Sequence, residues 1–541
     1  MRQAALWLGG ILVCGAVVAM AQVTTQLTAA NQMSGPYRIA GVLVNAATGE
    51  PVRRATVEAL KSDDSHAVAS CVTDNDGRFA LERLAAAKYQ LTASKRGFRS
   101  AFYDEHDQFS SAIVAGPDQD PTHLEFKLMP GAVVRGVVTS DDGEPVADAR
   151  VMLFKRPQFP GAGERTVQVD ASPTDDTGAY EFSDLPASEY LLAVAAEPWY
   201  AIHEGTPAKR NAALDVAYPV TYFDSTTEEG SATPIVLAGG SRVEVNIGMH
   251  AVPALHLSIA VPRKPDGSLA RPELQQIIFG NVVGAESSGF LDALQTGSVE
   301  MSGIAPGHYE LTQGEPPRIV DLDLASNQQL DANAGSAAIS VAGQVGMTSR
   351  APLAEEITVS LQRVDGGAGQ SLYAAPALQG RFRFDAVPPG EWAVMATAGD
   401  KALPVVAVSA GGVQRAGNIV TLKERATELQ VTLSGAVTRV EGFARKNGNG
   451  FAGAMIVLLP NNRALWKALT RRDQSDSDGS FALPDVAPGN YTAIAIEDGW
   501  ALDWSSPDAM ARYLREGTSV TITEQSGALI RLSSPVPVQM R

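Results

Sequence analysis

Hydrophobic and polar residues alternate in short runs along most of the chain, and the runs recur. After Gly77, apolar or small residues fall at Phe79, Leu81, Leu84, Ala87, Tyr89 and Leu91. From Gly178 the same offsets give Tyr180, Phe182, Leu185, Ser188, Tyr190 and Leu192. From Gly297 they give Val299, Met301, Ile304, Gly307, Tyr309 and Leu311. Gly380 leads to Phe382, Phe384, Val387, Gly390, Trp392 and Val394, and Gly479 to Phe481, Leu483, Val486, Gly489, Tyr491 and Ala493. The glycine-to-ring offset is 12 residues in all five copies. Gly-x-Φ-x-Φ has a period of two, the mark of a strand with one buried face. Turn formers precede the glycine (Asp74-Asn75-Asp76, Asp175-Asp176-Thr177, Asp476-Ser477-Asp478), and glycine there is expected to close a hairpin at positive φ. Pro186, Pro306, Pro388 and Pro488 mark a second turn, after which the Tyr or Trp opens another alternating strand. Phe79, Tyr89, Phe182, Tyr190, Tyr309, Phe384, Trp392, Phe481 and Tyr491 are therefore expected to pack cores, each buried ring contributing roughly 2–3 kcal/mol.

A second pattern lies upstream of most copies. Ile39-Ala40-Gly41-Val42 leads to Gly49-Glu50-Pro51 and then Ala55, Val57 and Ala59; Val134-Arg135-Gly136-Val137 leads to Gly143-Glu144-Pro145 and then Ala149, Val151 and Leu153. The fifth copy keeps Val440, Gly442, Ala454, Ile456 and Leu458; the fourth is looser around Gly343, and the third keeps only Leu257, Ile259 and Val261. Each is strand, turn, strand, and closing strands follow at Leu124–Leu128, Val243–Ile247 and Leu429–Leu433. The chain reads as all-β: a tandem array of five antiparallel sandwiches, each large enough to bury its own core. The expected modules are 37–129, 130–252 with an aromatic insertion, 253–334, 335–434 and 435–541, strung as beads with short connectors and limited interfaces. Ser506-Pro507-Asp508 reads as a helix start in the last module, with Met510, Tyr513 and Leu514 as its apolar stripe.

Thr73-Asp74-Asn75-Asp76-Gly77-Arg78-Phe79 and Asp184-Leu185-Pro186-Ala187-Ser188-Glu189-Tyr190, with the Gly-Glu-Pro turns, resemble the carboxypeptidase regulatory-like domain. The likeness is good in modules one, two and five, fair in four and weak in three. It departs at Ala87 and Ser188, where the family usually has glycine, and at Ala179 before Tyr180. It implies a transthyretin-like, Ig-like sandwich related to carbohydrate-binding-like folds, and an accessory role in secreted or envelope proteins. It supplies no catalytic residue.

Met1-Arg2, an apolar run from Ala4 to Ala19 and Ala19-Met20-Ala21 read as a signal peptide over 1–21, cleaved near Ala21/Gln22. The mature chain is then expected to be secreted, periplasmic or at the cell surface, with no integral membrane segment; residues 22–36 read as a flexible tether. Only Cys71 would survive cleavage, so cores and not disulfides hold the modules, and Cys71 reads as an inert thiol. A net charge of -17 argues against nucleic acid as a partner.

Candidate chemistry is sparse. None of the seven His residues is followed by Glu at the spacing of a zinc peptidase, and no nucleophile elbow, phosphate loop or Cys-x-x-Cys is present. His123/Glu125 and His308/Glu310 each share a strand face, expected to be solvated. The Asp473–Gly479 stretch fails a calcium-loop register and reads as a turn. The sequence thus points to a non-enzyme with no cofactor and no metal. Aromatics outside the repeat are the functional lead: Trp199, Tyr200, Tyr218, Tyr222 and Phe223 in module two, and Trp500, Trp504 and Tyr513 in module five. Trp199, Tyr200, Tyr222, Trp500, Trp504 and Tyr513 either staple their own loops to the sandwich or, as a ligand platform, would stack on sugar rings or on a partner's side chains. The expected partner is a polysaccharide or an envelope protein, the latter making the chain a docking appendage for an outer-membrane transport or secretion system.

Overall fold

The computed structural model describes residues 35–61, 66–156, 166–203, 210–260, 272–284, 290–293, 298–314, 317–349, 353, 356–364, 372–399, 401–423 and 427–541. Residues 1–21, read above as a signal peptide, and nearly all of 22–36, read as a tether, lie outside the described residues. What is described is an all-β chain of stacked sandwiches with a few short helices.

One plan recurs. In the first copy, strand Tyr37–Asn45 lies between Arg78–Leu84, antiparallel, and Leu124–Leu128, parallel. In the facing sheet, Thr56–Lys61 lies between Ala67–Val72 and Ala87–Ser94, both antiparallel. Ala132–Thr139, Leu255–Ala260, Ile339–Met347 and Thr438–Lys446 hold the opening strand's place in the later copies, each with an antiparallel partner on one side and a parallel closing strand on the other. The closing strand runs parallel because the chain visits the facing sheet before returning. In the last copy Val536–Gln539 pairs in parallel with both Thr438–Lys446 and Gly489–Ile496, joining the two sheets along one edge.

The Asp-x-x-Gly turn does not close a hairpin. The strands it joins, Ala67–Val72 and Arg78–Leu84, belong to opposite sheets, so it carries the chain across the sandwich. Gly77, Gly178, Gly380 and Gly479 hold φ of 70°, 73°, 78° and 82°, which L side chains rarely adopt. Asp74 Oδ1 accepts from the Asp76 and Arg78 amides at 2.9 and 2.8 Å, and Asp175 Oδ1 repeats this with Thr177 and Ala179 at 2.9 Å each. One residue earlier, a buried hydroxyl bonds to both ends of the preceding loop. Thr73 donates to Val52 O and accepts from Ala55 N, Thr174 does so with Val146 and Ala149, and Ser475 with Phe451 and Ala454.

The second turn crosses back, and there the ring acts. Tyr89 Oη donates to Ala85 O at 3.0 Å, Tyr190 to Pro186 at 3.0 Å, Tyr309 to Ala305 at 2.8 Å and Tyr491 to Ala487 at 2.8 Å. In the fourth copy Trp392 Nε1 donates to Pro388 O at 3.2 Å. Tyr and Trp alone combine a large apolar ring with a donor at its far end. All five rings are buried, as are Phe79, Phe182, Phe384 and Phe481.

Across each opening strand a glycine faces an aromatic: Gly41 opposite Phe79, Gly136 opposite Tyr180, Gly343 opposite Phe382 and Gly442 opposite Phe481. A Cβ at Gly442 would sit 2.6 Å from the Phe481 ring, and one at Gly136 1.7 Å from Val245 O. In the third copy the pair is Ile259 opposite Val299.

The sandwiches are not loosely strung beads. Met152, Phe154, Leu191, Val220 and Tyr222 of the second form one core with Ile278 and Val283 of the third. The first and fifth, far apart in sequence, dock directly. Lys88 Nζ donates to Asp476 Oδ2 at 2.6 Å, Ala112 N to Asp476 Oδ1 at 2.9 Å, Val114 N to Ser477 Oγ at 2.8 Å and Ser111 Oγ to Ser475 O at 2.9 Å. Asp476 occupies the repeat position of Asp74 and Asp175, yet its carboxylate faces the first sandwich. Burial pushes its carboxyl up, while Lys88 pulls it back. Neighbouring Asp473, which accepts from Ala482 N at 2.7 Å, is pushed by burial up to about 6.

Three outcomes are expected. Tyr491→Ala costs about 3–5 kcal/mol and Tyr491→Phe about 1–3 kcal/mol, by chemical denaturation; Tyr491→Ala also raises hydrogen exchange at Ala112 and Val114, whose amides bond the fifth sandwich. Gly442→Ala costs about 1–3 kcal/mol, and adding Phe481→Leu makes the double variant more stable than the sum of the singles predicts. Asp473, with its folded pKa above the ordinary carboxylate value, holds in the native chain a proton that the unfolded chain releases between about pH 4 and 6. Its contribution to stability is therefore largest below that window and falls as pH rises through it. Asp473→Asn should flatten this slope; an unchanged pH dependence of the unfolding midpoint counts against the assignment.

Candidate functional site

The six platform candidates meet different fates. Tyr222 is buried against Phe279, ring centroids 5.0 Å apart, in the core shared by the second and third sandwiches. Tyr513 is buried on the helix Pro507–Leu514, which Ser506 caps by accepting from Ala509 N at 3.4 Å and which covers the outer face of the fifth sandwich. Trp500 is half-buried: its ring stacks on His106 of the first sandwich at 5.0 Å and 8°, and Nε1 donates to Gly453 O at 3.3 Å. Trp504 is half-buried beneath the Arg472 guanidinium at 4.9 Å, and the same guanidinium covers Phe109 at 5.1 Å and donates to Asp107 at 3.3 Å. The platform expected in module five is instead the seam that holds the first sandwich.

Trp199 stands apart. It is 86% exposed, edge to face with half-buried Tyr200 at 5.8 Å and 84°. It follows strand Ser188–Ala195 through buried Pro198, and the turn is fixed by Ala201 N donating to Pro198 O at 2.9 Å and Ile202 N to Leu214 O at 2.7 Å. Beyond it a chain of charged and polar groups pins this segment to the third sandwich. His203 Nδ1 and His256 Nε2 meet the two oxygens of Asp215 at 2.9 and 2.8 Å. His256 Nδ1 lies 3.4 Å from Glu300, which accepts from Arg210 Nη2 at 2.7 Å. Burial pushes the Asp215 carboxyl up, but the hydrogen bonds and charge interactions with His203 and His256 together outweigh it and hold the carboxyl below the usual range.

The remaining candidates for chemistry resolve as structure. His308 contacts Asp321 at 3.1 Å and Asp323 at 2.7 Å on the neighbouring strand. Glu310, expected on a solvated face, is buried; burial pushes its carboxyl up against the pull of Arg363 in the fourth sandwich. His123 is exposed beside Asp120. The Asp473–Gly479 carboxylates accept protons from amides, from the Ser480 hydroxyl and from the Lys88 ammonium. Burial pushes the half-buried Cys71 thiol up, away from the reactive thiolate. Among the described residues no group of three or more His, Cys, Asp or Glu is placed to hold a metal ion, and no helix is long and apolar enough to cross a membrane.

The seam residues His106, Phe109, Arg472 and Gln474, whose Nε2 donates to Asp104 Oδ2 at 3.0 Å and Ser111 Oγ at 2.9 Å, were not singled out by the repeat. One signal did mark the covered faces. Val151-Met152-Leu153-Phe154, Leu191-Leu192-Ala193-Val194 and Met455-Ile456-Val457-Leu458-Leu459 are continuous apolar runs, and a strand apolar on both faces is covered on both.

Residues 38–128 match the family model of the carboxypeptidase regulatory-like domain. No curated protein matches the chain. Among solved structures, the Bacillus anthracis TIE protein is 9% identical, with 94% of this chain and 69% of that one covered at a TM-score of 0.16. A Streptococcal ancillary pilin is 12% identical over 55% of this chain and 99% of its own, at 0.20. BcpA, the major pilin subunit of Bacillus cereus, is 11% identical over 76% and 99%, at 0.14. Likenesses of this size carry no inference about arrangement or activity. The crossing turns and the ring-to-carbonyl bond of the first sandwich lie within the residues, 38–128, that match this family model.

Proposed function

We propose that the chain is an exported, non-catalytic scaffold that binds polysaccharide in the cell envelope or outside the cell. The observation that carries the reading is Trp199: a large ring at 86% exposure, on a turn braced from both sides, with no core of its own to fill. Rigid, exposed indole rings suit the C–H faces of sugars. The export reading of residues 1–21 and the net charge of -17 agree with an extracellular, nucleic-acid-free role. The non-catalytic reading is supported by where buried ionisable groups lie. Asp215, His203, His256, Asp476 and Arg472 are paired across seams between sandwiches, so they cement the array and do not converge on an open cleft.

Trp199→Ala removes a side chain that packs little, so stability should change by no more than about 0.5 kcal/mol. Retention on insoluble polysaccharide should fall roughly 30-fold, the scale of a binding anchor of about 2 kcal/mol. Trp504→Ala, by contrast, should destabilise the chain, because that ring lies under Arg472 in the seam. Wild-type protein that binds no polysaccharide but pulls an envelope protein from membranes through Trp199 would replace this reading with the docking appendage.

A further inference from the structure

The seam between the second and third sandwiches is not completely filled. Beside the shared apolar core lies a cavity of about 240 Å³. Its apolar lining comes from both sandwiches: Met152 and Val220 from one, Leu274 and Ile304 from the other. Tyr218, buried, lines the same wall. The polar lining is equally two-sided. Asp148, Arg150 and Glu197 are solvent-exposed residues of the second sandwich; Gln276 and Tyr309 belong to the third. Arg150 Nη1 donates to Val283 O at 3.0 Å, fixing the guanidinium on the seam. Gln276 Nε2 donates to Tyr309 Oη at 3.2 Å, and Tyr309 Oη donates to Ala305 O at 2.8 Å, which fixes the opposite wall.

We propose that this cavity is a binding site for one neutral saccharide unit. The inference rests on the reading of the chain as a polysaccharide-binding scaffold and adds a second site to the exposed Trp199 surface. The chemistry of the lining selects the class. Two carboxylates and one guanidinium leave the mouth with a net negative charge, which disfavours phosphate, sulfate and uronate ligands. An aliphatic ligand would take water from the charged groups of Asp148, Arg150 and Glu197 and offer no hydrogen bond in its place. A pyranose matches both halves: its C–H face meets Tyr218, Met152 and Leu274, while its hydroxyls donate to Asp148 and Glu197 and accept from Arg150 and Gln276. Its size, well below the ligand pockets of several hundred Å³ typical of drug-sized molecules, suits a single unit. Glu197 stands two residues before Trp199 in the same turn, so cavity and exposed ring are presented by one segment.

The test titrates the full chain with cellobiose, maltose and N,N′-diacetylchitobiose and reads the methyl resonances of Met152 and Leu274. At least one disaccharide should give saturable shifts at both methyls. Asp148→Ala and Glu197→Ala, both at exposed positions, should each weaken that binding at least tenfold, while Trp199→Ala should leave it within twofold. Lost polymer retention in Trp199→Ala with disaccharide shifts intact would keep the cavity assignment. Absent shifts with all three sugars, or equal affinity in the Asp148→Ala and Glu197→Ala variants, would overturn the cavity assignment and leave the Trp199 reading standing. Saturable methyl shifts only with short peptides would overturn the saccharide class.

Discussion

In each sandwich a ring near the start of one strand donates its polar tip to the carbonyl of the turn from which that strand has just emerged. Tyr89, Tyr190, Tyr309, Trp392 and Tyr491 all do so. The turn carries the chain from one sheet to the other, so its carbonyl cannot join a ladder, and a buried unpaired carbonyl is costly. The ring fills the centre of the core and satisfies that carbonyl in one placement. This dual demand explains why the position tolerates Trp for Tyr: phenylalanine would fill the core and leave the turn unpaired. The fixed offset of 12 residues follows, because it spans one strand and the crossing turn at its end.

The same economy of position appears at the first crossing. Thr73, Thr174 and Ser475 hold the incoming loop by accepting one amide and donating to one carbonyl. The aspartate that follows has two uses. Asp74 and Asp175 hold their own turns; Asp476 reaches Lys88 and Ala112 of the first sandwich, while Asp478 takes over locally by accepting from Ser480 N. A repeated turn thus became a docking surface with no change in its backbone. With the shared core between the second and third sandwiches, this gives an array whose parts are cemented by side chains far apart in sequence. Unfolding one sandwich exposes groups that its neighbours have already desolvated, so their stabilities are coupled.

The opening-strand glycines show how much of this was open to inspection in the chain itself. Gly41, Gly136, Gly343 and Gly442 were visible as a recurrence, but their purpose depends on the residue across the ladder, and the register that pairs Gly442 with Phe481 is a tertiary fact. In the third copy Ile259 and Val299 stand across the ladder where the other copies have glycine and ring. The helix start at Ser506-Pro507 was legible because capping is local. The aromatic platform was not, because an indole near the chain's end has the same sequence signature whether it meets solvent or His106.

The one-dimensional pattern determined the all-β architecture, the recurrence of the sandwich and the inward rings, because strand alternation, glycine turns and helix caps act over a few residues. It did not determine which sheets the turns connect, that the first and fifth sandwiches meet, or that five of six candidate rings are wholly or partly withdrawn from solvent while Trp199 is not. Those were decided when surfaces separated by up to several hundred residues came together: whether a polar or aromatic side chain is a core, a seam or a site depends on what faces it, and no local periodicity records that.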